Sequence, residues 1–292
     1  VNINPGKQHF YTPSVWAGLW QTWDWSTWIK PMVDDSKSAG ANAIRLIGNT
    51  HVVTSGMITQ QQYMDRWKQL LDYATEQDLY VFPCGGDLGH WGSATTWAKA
   101  EALYSSWAKL LSSYAPVIGV DITNEASAQY SSAYVTTYNQ PEKWQDTIKH
   151  LGEVVRSISG KPITHSRSID KVGVWCNGSI YTDLLSDFIS IHCYYTPDPS
   201  DAQRLSSTDW GRNKELLIGE FGIAMNSAPA DRIARYDGVK RLVKGADGCV
   251  GALAWSGYDL DDHPENQFGL FDADRRGRED ILSQYRTFPV LR

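Results

Sequence analysis

No apolar run in this chain approaches the ~18–20 residues that would span a bilayer, which excludes a membrane-spanning helix. Basic charge is also scarce. The 27 Lys and Arg face 33 Asp and Glu, leaving a net charge of −6 and no positive face to displace counterions from phosphates. Nucleic acid and membrane are thereby excluded as partners. Only four cysteines occur, Cys84, Cys176, Cys193 and Cys249, too widely spaced for a zinc site; they allow three disulfide pairings or buried free thiols. Also missing are a His-Glu-x-x-His helix, a Gly-x-Ser-x-Gly elbow and a Gly-rich phosphate loop, which removes zinc-hydrolase, serine-hydrolase and nucleotide chemistry. No Ser/Pro-rich tract, charge block or repeat interrupts the pattern, so residues 1–292 read as one domain.

What is abundant is aromatic. Thirteen Trp and fifteen Tyr exceed what packing needs, and exposed rings suit flat, weakly polar ligands such as sugars. The N-terminal cluster Trp16, Trp20, Trp23, Trp25 and Trp28 either lines substrate subsites or packs a flank. A start at Val1 rather than Met reads as a processed or trimmed product and by itself says nothing of export; a secreted or extracytoplasmic location is a separate expectation. Asn177-Gly178-Ser179 is a lone glycosylation sequon.

Short apolar runs alternate with amphipathic segments along the chain. A first strand is expected near "SVWAGLW", then "ANAIRLIG", "LYVFPCGGD", "VIGVDIT", "PITHSRS", "DFISIHCYY", "ELLIGEFGI" and "CVGALAWSG". Helical spacing places helices at roughly 59–78, 97–114, 141–158 and 231–245, the first opened by a capping box of Thr59 and Gln62. Strands alternating with helices mean a parallel sheet covered on both faces, and eight such units favour a closed (β/α)8 barrel.

Catalytic groups of that architecture sit at the C-terminal ends of strands. The ends here are polar or aromatic where buried strands should be apolar: Arg45 on the second, Asp87 and His90 after the third, Asn124-Glu125 after the fourth. His192 and Tyr194 follow on one side of the sixth, Glu220 on the seventh and Trp255 on the eighth. The fourth and seventh strands face each other across a barrel mouth. Glu125 and Glu220 thus form a carboxyl pair of the kind glycoside hydrolysis requires, one protonated and one ionised. The ionised partner is expected to raise the other's pKa. Arg45 and Tyr194 are candidates to hydrogen-bond Glu220, Asn124 to reach a sugar hydroxyl, and Trp255 to floor the sugar ring. Trp20, Trp23, Trp25 and Trp91 are further candidates for substrate contact. The acidic loop Asp259, Asp261, Asp262 and His263 lacks calcium-loop spacing and reads as solvated.

"ANAIR", "ITNEA", "IHCYY", "IGEFG" and "AWSG", in this order, resemble the clan A glycoside hydrolases, most nearly family 5, the cellulases and mannanases. The resemblance covers almost the entire chain. It implies a retaining enzyme with Glu125 as acid/base and Glu220 as nucleophile, supported by Arg45, Asn124, His192, Tyr194 and Trp255. It also implies a β-1,4-glucan or β-1,4-mannan substrate cut internally, no metal or organic cofactor, and a monomer. A xylan, a β-1,3-glucan, exo action and a non-catalytic carbohydrate-binding barrel stay as alternatives. The family often ends its third strand in His. Here "CGGDLGHW" leaves His90 and Asp87 both open for that place.

Overall fold

Leu216–Phe221 and Ile189–Cys193 are buried at every position, which requires strands covered on both faces. The computed structural model, which describes residues 1–10, 15–86, 94–125, 141–169, 186–207 and 214–289, arranges such strands in parallel. β1 (Asn2–Ile3), β2 (Ala43–Ile47), β3 (Tyr80–Cys84), β4 (Val120–Asp121) and β5 (Ile163–Thr164) pair in that order. β6 (Arg167–Ile169), β7 (Ile189–Cys193), β8 (Leu216–Phe221) and β9 (Cys249–Ala254) continue it. β5 and β6 are halves of one strand interrupted at His165 and Ser166, so nine segments fill eight strand positions.

Both seams carry hydrogen bonds. Asp187 N donates to Ile163 O at 2.8 Å, and Gly257 N donates to Asn2 O at 3.0 Å. The Asn2 amide also donates to Gly219 O at 3.0 Å and Ala254 O at 3.2 Å, joining the first strand position to the last two. The fold is a (β/α)8 barrel.

Around the strands run α1 (Val15–Thr22), α2 (Lys30–Ser38), α3 (Thr50–Thr54), α4 (Gln60–Glu76), α5 (Ala94–Ser112), α6 (Pro141–Ser159), α7 (Asp201–Ser207), α8 (Pro229–Gly245) and α9 (Glu279–Tyr285). The Thr59–Gln62 capping box forms as expected, with Gln62 N donating to Thr59 Oγ1 at 3.1 Å and Thr59 N to Gln62 Oε1 at 2.9 Å. Behind it Tyr63, Trp67, Leu70, Leu71 and Ala74 make the buried face of α4. Among the described residues no helix is long and apolar enough to cross a membrane.

The first strand differs from expectation. "SVWAGLW" falls on α1, and the strand is the two-residue β1, with Asn2 in register with Arg45 and Ile3 with Leu46. Trp16, Trp20 and Trp23 recur at i, i+4 and i+7, a helical stripe that overrides the strand-like composition. Two residues carry no periodicity, so β1 had no sequence signal of its own.

Two further expectations resolve locally. Cys84, Cys193 and Cys249 are free thiols, while Cys176 and the sequon at Asn177 lie outside the described residues. In the acidic loop Asp259 is buried and paired with Arg278 at 2.5 Å, and Asp262 pairs with Lys7, so only part of the loop is a solvated face.

Candidate active site

Arg45 stands on β2 with its side chain wholly removed from solvent. A buried guanidinium must be met by anions or acceptors, and this one is met on both edges. Nη1 donates to Glu220 Oε1 at 2.5 Å and Asn2 Oδ1 at 2.9 Å. Nη2 donates to Asp121 Oδ2 at 2.9 Å and Asn124 Oδ1 at 2.7 Å. Below it the ring of Phe82 lies 5.8 Å from Cζ and begins a small cluster with Phe188, Leu217 and Leu253. The cation therefore rests on apolar packing and spends its charge upward, on the strand ends.

Glu220 is held at both oxygens: Tyr194 OH donates to Oε2 at 2.5 Å while Arg45 takes Oε1. Burial, with the charge and hydrogen bond of Glu220, raises the Tyr194 phenol well above its ordinary pKa, so it stays a donor at all ordinary pH. Both oxygens of Glu220 are thereby fixed in position by short hydrogen bonds.

Glu125 leaves β4 at φ 47°, a left-handed conformation uncommon for a side chain of this size. Its N–H donates to Ser166 Oγ at 3.0 Å, and Ser166 N donates to Asp121 Oδ1 at 2.9 Å, so the break between β5 and β6 fixes this turn. His192 Nδ1 lies 2.9 Å from Glu125 Oε1 and 3.4 Å from Glu220 Oε2, between the two carboxyl groups. A register shift between Ile191 and His192 sets His192 opposite Glu220 and produces this placement. Burial pushes the Glu125 pKa up, but the His192 hydrogen bond and the charges of His192 and Arg45 outweigh it and hold the carboxyl below its usual range. The sequence-based expectation of a raised value is thus reversed in this structure.

Oxygens of Glu125 and Glu220 and Nδ1 of His192 all lie within 4.8 Å of one another. Among the described residues this is also the one set with metal-ligand spacing. Arg45 and Tyr194 already occupy both Glu220 oxygens, a pattern suited to a free carboxylate.

Trp255 follows β9 through a cis peptide to Ser256, and its ring meets Trp16 at 5.7 Å. Arg45, Asn124, Glu125, His192, Tyr194 and Glu220 are therefore brought together, with Trp255 at the end of the next strand. His90, Asp87 and Trp91 lie outside the described residues.

Trp20, Trp23 and Trp25 do not join this group. Trp20 is wholly buried, donates to Ile47 O at 3.0 Å and packs on Tyr63 and Trp67; it is a core residue and cannot touch substrate. Trp23 donates to Gln69 and Trp25 meets Tyr73 edge-on, each further along α4. Because α4 runs away from the catalytic end, the ten residues from Tyr63 to Tyr73 carry the row about 15 Å down the flank.

Sequence reasoning missed Asn2, Asp121, Ser166 and the Trp16 contact. Asp in "VDIT" was the available signal, a carboxylate inside an apolar run that needs a buried cation. A cavity of about 430 Å³ at the opposite end of the barrel, lined by Asn42, Tyr80, Ile118, Phe188 and Leu253 among others, holds none of the candidate residues.

A (β/α)8 barrel with two glutamates meeting at its mouth is the arrangement of a glycoside hydrolase. The model for the cellulases of glycosyl hydrolase family 5 matches residues 7–169, more than half of the chain, and the chain belongs to that family. No curated protein matches the sequence significantly. Among solved structures, an exo-β-1,4-mannosidase from Opitutaceae bacterium strain TAV5 is 17% identical with a TM-score of 0.70. The alignment covers 98% of this chain and 58% of that one, so this chain spans little more than half its length. A family 5 subfamily 18 protein from Streptomyces cattleya, in complex with Manβ1-4GlcNAc, is 15% identical with a TM-score of 0.72, covering 100% and 81%. A xyloglucan-specific endo-β-1,4-glucanase from a metagenomic library is 14% identical with a TM-score of 0.70, covering 99% and 95%. These likenesses establish the shared fold.

Proposed function

We propose that this chain hydrolyses β-1,4-linked mannosides or glucosides with retention of anomeric configuration. The observation that carries the reading is the separation of the two glutamates. Retaining glycosidases hold their carboxyl groups about 5–5.5 Å apart and inverting ones about 6.5–9.5 Å, and oxygens of Glu125 and Glu220 lie within 4.8 Å. That spacing favours direct attack by one carboxylate over delivery of a water.

Glu220, hydrogen-bonded as an anion by Arg45 and Tyr194, attacks the anomeric carbon. Glu125, the more exposed of the pair, protonates the leaving oxygen and then takes a proton from the water that releases the glycosyl ester. To act as acid it must escape the hold of His192. Swinging the Nδ1–H from Glu125 to Glu220, its second neighbour at 3.4 Å, removes the main stabiliser of the Glu125 anion while strengthening that of Glu220. Substrate that covers the 26% of the Glu125 side chain left exposed adds desolvation in the same direction.

Mannose and glucose differ at C2. The mannose-directed names of two fold neighbours and the β-1,4-glucanase name of the third support these two sugars over xylan or a β-1,3-glucan. The test is a screen of the wild-type protein on β-mannan, β-glucans, xylan and short oligosaccharides, with products resolved by size and anomer. A β-anomer released first from a mannan or glucan supports the reading. An α-anomer, or no cleavage by folded protein, overturns it; the product ladder distinguishes internal from terminal cutting.

A further inference from the structure

Trp23 and Trp25, expected to contact substrate, lie on the flank of α4 with polar groups gathered beside them. Trp20, Trp23 and Trp25 form a stack, at 5.0 Å and 25° for the first pair and 6.2 Å and 16° for the second. Trp25 ends the stack and is partly exposed. Trp23 adopts φ 49°, a conformation that bulky residues rarely take without compensation. The two rings, with Gln8, His9, Asp24 and Ser26, line an open concavity.

His9 supplies an independent sign of a ligand. It is 1% exposed, and its Nδ1 accepts the Gly6 N–H at 3.0 Å, so in the neutral ring the proton is on Nε2. Nε2 has no hydrogen-bond partner among the described residues, and Asp24 Oδ2 stands 3.8 Å away. A donor and a carboxylate this far apart are too distant to bond each other. They are spaced to share one hydroxyl, whose oxygen accepts from Nε2–H and whose proton goes to Oδ2.

We infer that this concavity is a second carbohydrate-binding site, in which a pyranose rests against Trp25 while one hydroxyl bridges His9 and Asp24. The inference depends on the proposed action on β-glycans. Its role is to hold a polysaccharide chain beside the barrel rather than to cut it.

The test uses inactive Glu220→Gln protein with its Trp side chains ¹⁵N-labelled, titrated with mannohexaose and with cellohexaose. Trp25→Phe and Trp255→Phe variants assign two of the thirteen indole N–H signals, and the unchanged remainder reports that each variant folds. The expected result is a saturable shift of the Trp25 signal that persists in Trp255→Phe and becomes about tenfold weaker in affinity in Asp24→Asn. Movement of the Trp255 signal alone would overturn the second site and leave the proposed function standing. No movement of either signal would overturn both.

Discussion

Arg45 and Glu220 lie 175 residues apart in the chain, yet Nη1 and Oε1 are 2.5 Å apart, with the side chains 0% and 5% exposed. The same guanidinium reaches Asp121 at 2.9 Å, so one cation serves two buried carboxylates. Arg45→Met should leave both without their partner and cost about 3–5 kcal/mol, the usual penalty for breaking a buried pair. Urea denaturation measures it. A loss under 1 kcal/mol would show that the anions find other compensation.

Replacement of Glu220, the proposed nucleophile, separates chemistry from folding. Glu220→Ala should abolish hydrolysis while the protein keeps its near-ultraviolet circular dichroism. Azide should restore turnover of an activated β-glycoside, giving the α-glycosyl azide. A β-product, or unimpaired turnover without azide, would assign attack to another group.

For Glu125→Ala the leaving group decides the outcome. Glycosyl-enzyme formation should survive for a dinitrophenyl glycoside and collapse by two or more orders of magnitude for an alkyl glycoside, in line with ordinary acid catalysis. Burst kinetics on the two substrates makes the comparison. Equal losses would remove Glu125 from the acid role.

His192 offers a pH test with a definite sign. Its hydrogen bond and charge lower the Glu125 pKa against the opposing push of burial, and the first step needs Glu125 protonated. The basic limb of kcat/KM should therefore move to higher pH in His192→Phe. A limb that stays in place or moves down would show that His192 does not set this pKa. Stability follows the same linkage: with a folded-state pKa below the unfolded one, the Glu125 contribution is present above the unfolded value and lost as pH falls through the folded value. Acid denaturation of the wild type should begin at lower pH than that of His192→Phe.

Two tryptophans of similar sequence context should respond oppositely. Trp20→Ala empties a fully buried site and should cost about 3–5 kcal/mol in unfolding. Trp255→Ala should change stability by no more than about 1 kcal/mol, while raising KM for oligosaccharides. Thermal unfolding and initial rates read the two effects; a KM unchanged in Trp255→Ala would withdraw that ring from the sugar platform.

The strand ends were readable because a parallel strand covered on both faces tolerates a charge only where it leaves the core. Glu125, Glu220, Arg45 and His192 stood out against that apolar background. The tryptophans did not, since composition records that a ring is large and flat but not which face of a helix carries it; the i, i+4, i+7 spacing of Trp16, Trp20 and Trp23 was the overlooked cue. Register was also hidden. The shift beside His192 and the break at Ser166 depend on how neighbouring strands pair, which one strand's residues cannot specify.

Asn2 accepts from Arg45 through its side-chain oxygen and donates through its amide to Gly219 and Ala254, more than 200 residues away. Closing the ring and orienting Arg45 are thus one event. Contacts so remote in sequence form slowly because the entropy of loop closure precedes their reward. Recovered activity during refolding should lag the appearance of helix and coincide with the final joining of the chain's two halves, which makes catalysis itself a reporter of ring completion.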